Sequence, residues 1–419
     1  MTRQLMMIAA VFAVFSLTGT AHAAKKEKIQ YYPHYWMSIS TGNQSIPGMN
    51  EQMSGMAALF GAKSAFGPRR TLQLQLESPG RMPEKPEAQH DIPANQSMGK
   101  SLLLLTPEPV KETKEAPTAE GEKPQKIEKP KARMLIYWGC DDTVLKGQPK
   151  VIDTEKMSMM EFGKAMVGHM PTQQYPPSAH NGWVYGEWPN REDNKDVPQE
   201  GSLVGEHLVH GNYVTDIRFN IDQKHDFMAP VEFSSVKATP SGAIRVEWKD
   251  IPTAIGYFAT VMAHNPETGE TILWSSSEGP EPGFALMNYL TNSDVRRFIK
   301  EKVVMPAGTT TCIVPPALKD LAGALQFIAY GEEMDLSYPP KPKDPKQPWN
   351  PKWSVKVRLK STGMTTLAET QERKGAAGKK AKQAAPSDKD GDSRDKQGKD
   401  DDSGSSKNPI NRLKGIFGF

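Results

Sequence analysis

The chain has 419 residues, a formal net charge of +3, 35 prolines and two cysteines, and its mean hydropathy is −0.59. The nearly balanced charge argues against a nucleic-acid binder, which usually carries a clustered basic surface. The length allows two or three domains, but two long segments contain almost nothing to bury and are not predicted to pack.

The first 23 residues have the pattern of a signal peptide. A single Arg3 precedes an apolar run, residues 5–17, which is too short to cross a bilayer as a helix. Ala21-His22-Ala23 is a small-x-small triplet of the kind that signal peptidase cleaves. We therefore expect cleavage near Ala23 and export to the periplasm or the extracellular space.

Residues 24–225 are predicted to form a first β-rich domain. Residues 29–40 are aromatic and β-prone, and Pro33 favours an edge strand there. Residues 71–77 alternate strictly between apolar and polar side chains, which predicts a half-buried strand.

Two compact apolar runs, residues 101–106 and 133–139, are predicted to be neighbouring antiparallel strands. The insert between them, residues 107–131, consists mainly of Lys, Glu and Pro. Such a composition cannot offset the entropy lost on ordering, so we expect a disordered excursion.

Residues 153–167 have helical periodicity, and either Asp153 or Ser158 can cap the helix. Further along, Trp183 and Tyr185 are predicted to share one face of a strand, with Trp188 close by. An aromatic surface of this kind can stack on sugar rings or anchor a partner. Burial in a β-core is the alternative interpretation of these three residues, and it is the commoner one.

The stretch from Glu206 to His210 contains two histidines and invites a metal interpretation. His207 and His210 are three residues apart, so on a strand they point to opposite faces and cannot reach one ion. We therefore expect surface or hydrogen-bonded histidines, and predict no metal site and no cofactor.

Residues 226–338 are predicted to form a second β-rich domain, with turn signals at residues 240–242 and 265–269. Residues 244–248 end in Trp248, and Tyr257 follows nine residues later. This pattern resembles the opening of a fibronectin type III domain, which implies an Ig-like sandwich with both rings in its core. A helix at residues 286–302, capped by Ser293 or Asn292, departs from that pattern as an insertion.

The whole body is also similar to an uncharacterised group of exported proteobacterial proteins, a resemblance that implies localisation and no activity. In an oxidising compartment, Cys140 and Cys312 suggest one disulfide joining the two predicted domains. Two buried free thiols are the alternative.

The C-terminal part is predicted to be a Pro-rich extension at residues 339–360, with an edge strand near 355–359, and then a disordered charged tail at 361–407. Residues 408–419 form a short amphipathic segment whose Ile410, Leu413 and Phe417 would lie on one helical face. This segment suggests docking to a membrane surface or a partner groove; a frayed tail is the alternative.

Taken together, the patterns predict a mostly β protein, rich in β-sandwich, with a few short helices. The chain contains no GxSxG, GxGxxG or P-loop pattern. We therefore favour a non-catalytic envelope protein that binds a protein partner or a cell-wall polymer. The alternative is a periplasmic hydrolase with a site between the two domains.

Overall fold

The computed structural model describes residues 31–44, 67–107, 132–319, 321 and 323–367. It is mostly β with several sheets, as predicted. The helices in this part of the chain are α1 (Met159–Met166) and α2 (Asn292–Lys300). The strands are β1 (His34–Gln44), β2 (Gly67–Pro79), β3 (Ala88–Asp91), β4 (Ser101–Leu104), β5 (Arg133–Trp138), β6 (Lys150–Asp153), β7 (Trp183–Trp188), β8 (Gly205–Gly211), β9 (Ile217–Ile221), β10 (Phe233–Ala238), β11 (Ile244–Trp248), β12 (Ala254–His264), β13 (Thr271–Ser275), β14 (Met305–Pro306), β15 (Thr311–Val314), β16 (Gly323–Gly331), β17 (Met334–Tyr338) and β18 (Trp353–Thr366).

The described strands form three sheets. The central sheet has eleven strands in the order β6-β5-β13-β12-β16-β18-β1-β2-β7, with β14 paired to β12 and β17 paired to β18. A four-stranded sheet has the order β4-β3-β8-β9, and a three-stranded sheet has the order β10-β11-β15.

The main core cluster lies on one face of the central sheet, where β1, β2 and β18 alternate apolar and polar residues, and two smaller clusters, around Phe258 and Ile136, lie on the opposite face. Met37 of β1 lies opposite Leu74 of β2 and Val357 of β18, and all three side chains are fully buried. They belong to one core cluster with Leu102 and Val209 of the four-stranded sheet. Each such side chain contributes roughly 1.5–3 kcal/mol when it is fully buried.

Two strands that were predicted at edges lie inside the central sheet. β1 is flanked by β18 and β2, and β18 is flanked by β16 and β1. Pro33 precedes the first paired residue of β1, and its carbonyl accepts a hydrogen bond from the Ser354 amide (3.0 Å). Pro33 therefore removes no amide donor from the hydrogen bonds between β1 and β18. The predictions that residues 29–40 and 355–359 form edge strands are wrong.

The apolar runs at 101–106 and 133–139 are not neighbours, so that prediction is also wrong. β4 pairs with β3 in the four-stranded sheet, whereas β5 pairs with β13 and β6 in the central sheet. The first run thus pairs with the strand just before it in the chain, and the second pairs both with the next strand and with β13, more than 130 residues later. The predicted insert 107–131 lies, apart from Pro107, outside the described residues.

Both predicted helices form, but they are shorter than predicted. α1 begins after Ser158, which forms a capping box with Glu161, because residues 150–153 already belong to β6. α2 begins after Thr291, whose side chain accepts a hydrogen bond from the Asp294 amide. The cap is therefore Thr291 and not Asn292 or Ser293.

The boundary predicted between residues 225 and 226 separates strands that share one sheet. β1 pairs with β18, and β5 pairs with β13. The described residues through 367 belong to one compact unit. Cys140 and Cys312 form a disulfide with Cα atoms 4.9 Å apart, which links the end of β5 to the three-stranded sheet within that unit.

Candidate binding face

The four strands β18, β1, β2 and β7 carry a largely polar face, part of it buried, on the side away from the main core cluster; it is here called the outer face. Trp36 lies opposite Lys356 and Gln75, which are its Cα partners on β18 and β2. One step along, Ser38 lies opposite Arg358 and Gln73. The same alternation that buries one side of these strands thus gathers aromatic, amide and basic side chains on the other.

A cavity of about 330 Å³ lies on this face, a size typical of small-ligand sites. We call it the outer groove; its lining residues are Ser38, Thr71, Leu72, Gln73, Glu187, Trp188, Pro189 and Tyr289.

One wall is formed by the segment that precedes α2. Tyr289 of this segment is half-buried and lies over the basic side chains of β18. The Arg358 guanidinium carbon is 4.4 Å from the Tyr289 ring centre, and the Lys360 Nζ is 4.5 Å from it.

Residues 169–178, which connect α1 to β7 in the chain, cross the outer face and are here called the strap. One end of the strap contacts α2, and the other end contacts β2. The Thr172 amide donates to Asp294 Oδ2 (2.8 Å), and Gln174 Nε2 donates to Glu333 Oε1 (2.9 Å). At the far end, the Pro177 carbonyl accepts from Gln75 Nε2 (3.2 Å). Because the anchoring carboxylates are buried, these charge-assisted bonds hold the strap firmly in place.

Arg358 is positioned by two rings and one hydroxyl. Its guanidinium carbon lies 5.0 Å from the centre of a Trp36 ring, in addition to the Tyr289 contact. Its Nε donates to Ser38 Oγ (2.8 Å). Cation–π contacts contribute about 0.5–2 kcal/mol each, so the guanidinium is held in a fixed orientation at the groove.

The three basic residues of β18 differ in how their charges are compensated. Lys356 Nζ is 3.3 Å from Glu333 Oε2 and 2.8 Å from Asp335 Oδ1. Within the described residues, Arg358 and Lys360 have no carboxylate oxygen within 4.0 Å.

Burial affects both uncompensated cations. It lowers the pKa of Lys360 to about 8, and the neighbouring Arg358 charge acts in the same direction. Burial also lowers the pKa of Arg358, although Tyr289 and Glu333 partly oppose this shift. The surroundings of Arg358 and Lys360, beside the groove, therefore disfavour the positive charges of both residues.

The opposite wall of the groove carries an acid. The Tyr185 hydroxyl donates to Glu187 Oε2 (2.7 Å) and accepts from Gln75 Nε2 (3.2 Å). Burial raises the pKa of Tyr185 well above its usual value, so the phenol stays protonated as the donor.

The predicted aromatic residues of β7 occupy three different environments. Trp183 and Tyr185 share the outer face, since they lie opposite Pro79 and Glu77. Trp183 lies at the end away from the groove, where its ring stacks on that of His34 at 5.9 Å. Trp188 is 1% exposed and belongs to the core, although it also borders the groove. Ile410, Leu413 and Phe417 lie outside the described residues.

Sequence reasoning missed Trp36, Tyr289, Arg358 and Lys360. The alternation of valines and basic residues in β18 was a usable signal for one basic face. Nothing in the sequence indicated that β1, more than 300 residues earlier, would supply the ring beside them.

A second polar arrangement lies buried between the central and the four-stranded sheets. The Leu203 carbonyl can only accept, so His207 Nε2 donates to it (2.7 Å). His207 Nδ1 then accepts from His90 Nε2 (2.8 Å), and His90 Nδ1 accepts from the Tyr35 hydroxyl (2.8 Å). Every ring nitrogen is satisfied when both imidazoles are neutral.

Burial lowers the pKa of both histidines, and for His90 the proximity of His207 adds to the effect. His210, which the sequence places near them, instead contacts Asp91 Oδ2 at 3.1 Å. We interpret this chain of hydrogen bonds as structural, because all three of its side chains are at most 2% exposed.

Comparisons with models of known protein families and with curated proteins gave no match. In the described part of the chain, no helix combines the length and apolar character needed to span a membrane. The same residues contain no group of three or more His, Cys, Asp or Glu arranged to hold a metal ion.

Proposed function

We propose that this chain is a non-catalytic protein of the cell envelope that binds a cell-wall polymer through the outer groove. The observation that carries this proposal is the combination of Trp36 and Tyr289 with amide and hydroxyl side chains on one sheet face. Stacking rings together with fixed polar groups are what recognition of a sugar-containing polymer requires.

Export is part of the proposal. It is supported by the apolar run at residues 5–17 and the Ala21-His22-Ala23 triplet, both outside the described residues. A disulfide between Cys140 and Cys312 is consistent with an oxidising compartment.

We also propose that residues 226–338 belong to a fibronectin type III-like sandwich. In support, β11 of the three-stranded sheet and β12 of the central sheet contribute Trp248 and Tyr257, whose ring centres are 5.9 Å apart. The predicted hairpins β10–β11 and β12–β13 both form. On this proposal the fold provides a scaffold, and binding lies on the neighbouring strands.

A direct test is co-sedimentation of the full mature chain with purified peptidoglycan sacculi. We expect wild type to sediment with the sacculi, and Trp36→Ala and Tyr289→Ala to bind at least about tenfold more weakly. Tyr338→Ala is the matched control, because Tyr338 is a 52% exposed ring on β17.

Unimpaired binding by both groove variants would contradict the proposal, as would the absence of wild-type binding. Capture of an envelope protein that depends on Trp36, without binding to sacculi, would instead favour a protein partner. Melting temperatures of all variants separate lost binding from lost folding.

A further inference from the structure

Arg358 and Lys360, which adjoin the outer groove through their contacts with Ser38 and Tyr289, carry an unbalanced charge. Arg358 and Lys360 are both half-buried, and burying a charge without a partner is unfavourable. The ring faces, together with Asn288 Oδ1 at 3.4 Å from the Lys360 Nζ, compensate these charges only in part, because they are neutral partners. The entry of an anion would therefore stabilise both cations.

Neighbouring acids do not fill this role. Glu333 and Asp335 contact Lys356, and Glu333 acts on Arg358 only at longer range. Glu187 is on β7, three strands away from β18, which is roughly 14 Å at about 4.8 Å per strand. The groove therefore has an acid on one wall and two cations beside the other.

The geometry of Arg358 suits a planar or tetrahedral oxyanion. Trp36 and Tyr289 contact the guanidinium, and Ser38 Oγ accepts a hydrogen bond from its Nε. Among the described residues, no hydrogen bond from either Nη is found. Two Nη groups held in one plane can donate together to a carboxylate or a phosphate.

We propose that Arg358 and Lys360 form an anion subsite that holds an oxyanion, a carboxylate or a phosphate, carried by the bound polymer. This inference rests on the proposed function of the groove and names the chemistry of its ligand. Trp36 and Gln73 would then contact the uncharged part of the polymer next to the anion.

The test compares native sacculi with sacculi whose carboxyl groups have been amidated. For wild type, we expect amidation to weaken binding about tenfold, since hydrogen bonds to charged groups are among the strongest. Arg358→Met keeps the apolar stem but removes the charge, so it should bind native sacculi as weakly as wild type binds amidated sacculi. Arg245→Met is the control, because Arg245 is an exposed strand residue of the three-stranded sheet.

Equal binding of native and amidated sacculi by wild type would overturn the carboxylate form of the subsite. Added inorganic phosphate then tests whether the subsite holds a phosphate. If it does, phosphate should compete with sacculi for binding to wild type but not to Arg358→Met. If neither treatment changes binding, the inference is wrong while the proposed function stands.

If wild type does not bind sacculi at all, the proposed function fails. Small anionic probes then test the anion subsite independently of the polymer. Glucuronate and inorganic phosphate should each shift the Arg358 Nε–H resonance of wild type if the subsite exists. No shift with either probe would overturn it.

Discussion

The two faces of β1 and its neighbours are built from the same strands but carry different kinds of residue. On the inner face, Met37, Leu74 and Val357 are fully buried and fix the position of the central sheet. On the outer face, Trp36 and Ser38 lie among amide and basic groups, and Ser38 lines the outer groove. The difference teaches that a period of two lets one strand carry core residues on one side and, on the proposed function, a binding surface on the other.

The largest expected effect is a difference in the free energy of unfolding between substitutions on the two faces. Met37→Ala should lower the free energy of unfolding by about 2–5 kcal/mol, because it leaves a cavity in the core. Trp36→Ala, one residue away, should cost less than about 2 kcal/mol, because its half-buried ring packs mainly against basic side chains. Urea unfolding of both variants measures the difference. Similar losses would show that the outer face also serves as core.

The buried histidines predict that the inner face is sensitive to acid. Burial lowers the pKa of His90 and His207 below the value in the unfolded chain, about 6.5. The unfolded state therefore binds more protons below that pH, and stability falls as the pH drops from 6.5 towards the folded pKa values. The slope should be about 1.4 kcal/mol per pH unit for each histidine.

Urea unfolding between pH 5 and 8 tests this sensitivity. His90→Gln should reduce the dependence of the unfolding free energy on pH by the contribution of one histidine. His264→Gln should leave it unchanged, because His264 is exposed at the end of β12. An unchanged slope in His90→Gln would contradict the neutral chain of hydrogen bonds.

The outer face should instead respond to alkali, with the smallest of these effects. The pKa of Lys360 is about 8, so its charge and its attraction for an anion decline as the pH rises from 8 to 9.5. Tyr289 and Tyr330 lie beside it, but burial raises the pKa of both phenols, so they stay neutral in this range. Arg358 keeps its charge.

Affinity for native sacculi should therefore fall several-fold over this range in wild type, since one of two cations is lost. Lys360→Arg, which stays charged, should show a flatter profile. Parallel profiles for the two proteins would remove Lys360 from the subsite.

The inner face was easier to predict from the sequence than the outer one. Strict alternation revealed β2 and the hairpins of β10–β13, because each depends on local pattern and turn residues. The parallel pairing of β1 with β18 depends on residues about 320 positions apart, which no local pattern encodes. For the same reason the edge predictions for both strands failed.

The candidate site was only partly predictable. Tyr185 and Trp188 were selected as aromatic residues of one strand, and they do line or adjoin the groove. Tyr289 and Arg358 were not, because their meeting depends on the segment before α2 folding over β18. A site assembled from four strands and a loop becomes visible only after the long-range pairing is known.

The central claim, that the outer face carries binding, is tested most directly by hydroxyl-radical footprinting of the full chain with soluble peptidoglycan fragments. We predict that the fragments protect Trp36 and Tyr289 from oxidation and leave Tyr338 unchanged. Protection confined to Tyr338 or to the three-stranded sheet, with Trp36 oxidised at its free rate, would contradict the claim.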